Sequence, residues 1–92
     1  MTKEEIQGFI DRTNWVFAKT YAKTWPHEYI LKERLSDQEQ NEFDKFVTVI
    51  NRDGVKEKFH TEIYTYFYFG EWKYWAMGEP DGPPDIINRA KI

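Results

Sequence analysis

The chain has 92 residues and a formal net charge of −3, from 13 lysines and arginines against 16 aspartates and glutamates. That length makes one domain with a single core of limited margin. That charge argues against non-specific nucleic-acid binding, which needs a cationic face. The absence of cysteine excludes disulfides, a thiol nucleophile and thiolate-held metal. Aromatic residues reach 18%, enough large rings to stabilise a small domain without covalent staples and to leave some for a ligand. The opening Met1-Thr2-Lys3-Glu4-Glu5 lacks the apolar run of a leader, and no later run has membrane-spanning length. A soluble, cytoplasmic protein is expected.

Thr2 and Glu5 have the spacing of a capping box, and Ile6, Phe9 and Ile10 share one helical face. This predicts a helix over about residues 3–13, turned off at Asn14. Trp15, Phe17 and Lys19 alternate as a short strand would. Pro26 disfavours helix at Trp25. From His27 to Arg34 the chain reads as a strand, with Tyr29 and Leu31 on one face and Glu28 and Ile30 on the other.

Ser36 and Glu39 repeat the capping box, and Phe43, Phe46, Val47 and Ile50 follow at helical spacing. Acidic residues fill the first turn, where the helix dipole favours them. A helix from about Asp37 to Arg52, ended by Asp53-Gly54, is the clearest element. Val55–His60 and Glu62–Phe69 follow as strands, the second dense in aromatic and β-branched residues. Gly70-Glu71 suits a two-residue hairpin turn leading to a strand over Trp72–Met77. Gly78–Asp85, rich in glycine, proline and acids, is a loop. Ile86–Ile92 is a closing tail that buries its isoleucines. The expected architecture is α+β: an antiparallel meander of three strands plus one earlier strand, with two helices packed on one face.

Charge is segregated along the chain. Residues 12–34 carry five basic and two acidic side chains, residues 37–53 five acidic and two basic. A basic patch on an acidic protein fits a small anionic ligand better than a long polyanion. Lys19 and Lys23 share a face whether their segment is helical or extended, and Thr20 and Thr24 add hydroxyl donors. Arg89 offers a planar fork for phosphate. Tyr21, Trp25, Tyr74 and Trp75 are candidates to stack on a base, although most rings in so aromatic a chain must be core. Tyr74 and Trp75 alternate, so only one of them faces that core. Asn88 has an amide able to read a base edge, or to cap a turn. His27 is the candidate proton shuttle. Its neighbour Glu28 falls on the opposite strand face and would not orient it. The only histidines are His27 and His60, in no metal-binding spacing, so neither a metal nor another cofactor is expected.

Thr20-Tyr21-Ala22-Lys23-Thr24, Pro26-His27-Glu28-Tyr29, Lys73-Tyr74-Trp75 with Met77-Gly78, and Ile86-Ile87-Asn88-Arg89-Ala90-Lys91 together resemble a family of small single-domain bacterial and phage proteins. The resemblance runs from about Trp15 to Lys91. It implies a compact domain and a phage or mobile-element setting, in which small proteins commonly interfere with host defence. It assigns no activity.

The leading expectation is therefore a domain that sequesters a nucleotide-type anion, such as a cyclic-nucleotide signal. Rings would stack the base, while Lys19, Lys23 and Arg89 would hold phosphate. The alternatives are a nucleotide-cleaving enzyme using His27, and an interaction module that blocks a host protein through exposed aromatics. An uncovered sheet edge would also admit a homodimer.

Overall fold

The computed structural model describes residues 1–18, 27–78 and 81–92. The first helix, α1 (Lys3–Arg12), begins with the capping box expected at Thr2 and Glu5. It ends where the Thr13 hydroxyl donates to the carbonyls of Phe9 and Ile10. Two short strands follow, β1 (Val16–Phe17) and β2 (Glu28–Leu31). The expected continuation of β2 to Arg34 is instead a 3-10 turn over Lys32–Arg34. Helix α2 (Asp37–Asp53) opens on the Ser36–Glu39 capping box.

Gly54 then passes the chain directly into β3 (Val55–Phe59), followed by β4 (Glu62–Phe69) and β5 (Trp72–Met77). Gly54 has an ordinary negative φ, so it does not serve as a left-handed cap. Its missing side chain matters because a Cβ there would lie 2.3 Å from the Ile50 carbonyl oxygen and 2.6 Å from Thr65 Cγ2. Gly70, at φ +63°, takes the left-handed position in the turn between β4 and β5.

The closing tail is a strand, β6 (Ile86–Lys91), and it lies inside the sheet. Among the described residues the order is β1-β2-β6-β5-β4-β3, six strands with every neighbouring pair antiparallel. The α+β class stands as expected, but the sheet is wider than a meander plus one strand. β6 pairs with β2 through Glu28↔Arg89 and Ile30↔Ile87, and with β5 through Tyr74↔Arg89 and Ala76↔Ile87. A segment expected only to close the chain is what joins its two halves.

Both helices lie on one face. Ile6, Phe9 and Ile10 of α1 and Phe43, Phe46, Val47, Val49 and Ile50 of α2 bury against Ile30, Tyr74 and Ile87 of the sheet. Phe46 is the centre of this packing, with edge-on ring contacts to Phe9 (5.8 Å), Phe67 (6.1 Å) and Tyr74 (5.3 Å). Such contacts add to area burial by about 0.5–1.5 kcal/mol each. The second cluster of buried side chains, Tyr66, Trp75 and Ala90, consists only of strand residues and lies on the other face. Among the described residues no helix is long and apolar enough to cross a membrane.

Candidate functional site

Strand alternation sorts the candidate residues between the two faces. One cross-strand row on the helix side runs Phe67, Tyr74, Arg89, Glu28, Phe17. A row on the outer side includes Trp75, Asn88, Tyr29 and Val16. Tyr74 and Arg89 are thus separated by the sheet from Trp75 and Asn88, so these four do not converge on one ligand. Lys19, Thr20, Tyr21, Lys23, Thr24 and Trp25 lie outside the described residues.

Arg89 occupies a built environment on the helix side. Its guanidinium sits between two indoles, with Cζ 4.4 Å from the Trp15 ring centroid and 4.0 Å from that of Trp72. Nη2 and Nε donate to Glu28 Oε1 at 2.7 and 2.8 Å. Only 14% of the Arg89 side chain is exposed. Burial pushes the Tyr74 phenol up, partly offset by its hydrogen bond to Arg89. The fork expected to hold phosphate is here engaged by a carboxylate and two rings, which ties β2, β5 and β6 to the residue just before β1. A free anion would have to compete with Glu28 for it.

The charge segregation is likewise used within the molecule. Arg12 pairs with Glu42, and Lys32 Nζ pairs with Asp44 Oδ1 at 2.8 Å. Acids of α2 thereby meet two of the five basic residues in the stretch 12–34.

The outer face carries a ladder of rings, of which the sequence singled out only Trp75 and His27. Phe59 and Tyr64 have centroids 6.4 Å apart, Tyr64 and Tyr66 6.2 Å, Tyr66 and Trp75 5.4 Å, and Trp75 and His27 5.8 Å. The ladder crosses the sheet from β3 to the start of β2. Lys73 Nζ lies 4.7 Å from the Tyr66 centroid. At the ladder's centre, Tyr66 and Trp75 are 4% and 8% exposed; at its β3 end Phe59 is 39% exposed, and Tyr68, on the same face at the far end of β4, is 43% exposed. The signal was present in Ile63–Phe69: Tyr64, Tyr66 and Tyr68 alternate with Ile63, Thr65, Phe67 and Phe69. Hydroxyl-bearing rings therefore share the outer face, while Phe67 and Phe69 pack against the helical core.

Two of these tyrosines are held by carboxylates. The Tyr68 hydroxyl donates to Glu57 across the β3–β4 pair, and Tyr64 donates to Glu62 Oε2 at 2.5 Å. The bond to Glu57, then burial, pushes the Tyr68 phenol up to about 12. Tyr66 is raised chiefly by burial.

His27 is half-buried beside Trp75, and its carbonyl accepts from the Ala18 amide at 2.9 Å. Glu28 is committed to Arg89 on the opposite face, as alternation requires. Asn88 sits in the middle of β6, so it neither caps nor turns the chain. Among the described residues no three potential ligating side chains group to hold a metal. A depression of about 310 Å³ is lined by Leu31, Lys32, Glu33, Gln40 and Asp85, and another of about 550 Å³ by Arg12, Ser36, Gln38, Glu39 and Glu42. Among the described residues, neither is lined by a ladder residue or by Tyr74, Trp75, Asn88 or Arg89. The chain matches no protein-family model, no curated protein and no solved structure.

Proposed function

We propose that the chain is an interaction module whose outer sheet face, at the β3–β4 end, contacts a protein partner. The observation that carries this is the gradient along the ring ladder, buried at Trp75 and Tyr66 and 39% exposed at Phe59, with Tyr68 43% exposed on the same sheet face. Rings anchored at one end and exposed at the other offer rigid contact area at low entropy cost, the property of interaction hot spots. Val55, 56% exposed on the same face of β3, extends the apolar surface, and Glu57 supplies a carboxylate within it.

The test compares partner capture by the native protein, a Phe59→Glu/Tyr68→Glu variant and a Lys45→Glu variant on the helix side. The expected outcome is a partner held by the native and Lys45→Glu proteins and lost from the double variant. Equal capture by all three would contradict the proposal.

A second reading, capture of a nucleotide-type anion, draws on one observation. Ala18 and His27 are hydrogen-bonded to each other where His27 meets Trp75. Lys19, Thr20, Tyr21, Lys23, Thr24 and Trp25 lie between these two residues in the sequence. Mono-, di- and cyclic nucleotides that raise the melting temperature and are recovered intact would favour this reading. Conversion to products, lost on His27→Ala, would favour catalysis.

A further inference from the structure

We propose that the free edge of β3 accepts an extended acidic segment of a partner as a seventh strand, an inference that rests on the interaction-module reading. Among the described residues, β3 pairs only with β4 and ends the sheet. Four of its five residues are exposed, and its length suffices for a short ladder of main-chain hydrogen bonds.

The side chains of β3 define what such a strand must carry. Val55, Glu57 and Phe59 lie on the outer face, Lys56 and Lys58 on the helix-side face. Both lysines are exposed, and among the described residues neither has an ion-pair partner. On that face they adjoin Thr65 and the 70% exposed Ile63, their register partners in β4. A strand added antiparallel to β3 would place acids opposite Lys58 and Lys56 and apolar residues opposite Phe59 and Val55. A hydroxyl or basic residue would face Glu57. Opposite charges placed so contribute about 0.2–1 kcal/mol per pair, and like charges cost similar amounts.

A second copy of this chain does not meet those requirements. With Glu57 opposite its own copy, Lys56 also faces Lys58. Shifting the pairing by one step to keep both outer faces aligned sets Lys56 against Lys56, or Lys58 against Lys58. The two lysines thus oppose self-pairing while attracting acids.

The probe is a soluble peptide with Ile-Glu-Thr-Glu-Ile at its centre, compared with the same peptide carrying lysine for glutamate. Amide chemical shifts of the intact protein are followed as each is added. The expected result is a response concentrated at residues 55–59, roughly tenfold stronger for the acidic peptide from two reversed charge pairs. Lys56→Glu with Lys58→Glu should invert that preference without changing the fold, since both side chains are exposed. Equal response to both peptides, no response at β3, or an unchanged preference in the charge-reversed protein would each overturn the proposal. If these fail while Phe59→Glu/Tyr68→Glu still abolishes partner capture, the edge proposal falls and the outer-face reading stands. If capture is also unaffected, both fall.

Discussion

Arg89 meets a carboxylate and two indoles at once. Lysine in its place would keep the charge but lose the planar fork to Glu28 and the double stack between Trp15 and Trp72. Arg89→Lys should destabilise by about 1–2 kcal/mol and Arg89→Ala by about 1–3 kcal/mol, the latter because it leaves the half-buried Glu28 carboxylate unpaired. Urea denaturation measures both, and an unchanged midpoint would mean that the cluster is decorative. Tyr68 makes a different residue-scale prediction. Its folded phenol is raised to about 12, chiefly by donating to Glu57, so the fold holds that proton more tightly than the unfolded chain does. The stabilisation is complete below the ordinary tyrosine range near 10 and is lost as pH rises through the folded value. Glu57→Gln should bring the Tyr68 transition, identified by difference from Tyr68→Phe, back towards about 10 in a near-ultraviolet titration.

At the scale of elements, the junction from α2 into β3 is the tightest point. Any side chain at position 54 meets the Ile50 carbonyl and Thr65. Gly54→Ala should therefore cost about 1–3 kcal/mol by overpacking, despite an alanine-compatible φ. An alanine variant as stable as the native protein in thermal melting would contradict that account. Both helices were legible because capping boxes and apolar spacing are local signals. β4 and β5 were legible from aromatic density and the glycine between them. β6 was not. A strand buried on both faces shows little polar alternation, and Asn88, Arg89 and Ala90 carry weak strand propensity. Its place is set by β2, far upstream in sequence. The Arg89 cluster was hidden for the same reason, since Trp15, Glu28 and Trp72 meet it only once β6 is inserted. The ring ladder could have been found from the tyrosine alternation in β4, but its partners Phe59, Trp75 and His27 come from three other segments.

At the scale of the whole molecule, the layering among the described residues gives the two sheet faces different surfaces. One sheet face is closed by two helices, and the opposite face carries rings that become more exposed towards β3. The acidic net charge does not oppose this, because α2 pairs its acids with Arg12 and Lys32 while β3 keeps two lysines at the rim. The proposed recognition surface is thus the end of the sheet where ring surface, an unpaired backbone edge and exposed lysines coincide. The most direct test replaces Tyr68, or Lys45 on α2, with a photo-reactive aromatic analogue in cells that express the protein natively. The account predicts a discrete covalent adduct from position 68 and none from position 45. An adduct from position 45 alone would place the contact on the helical layer and contradict it.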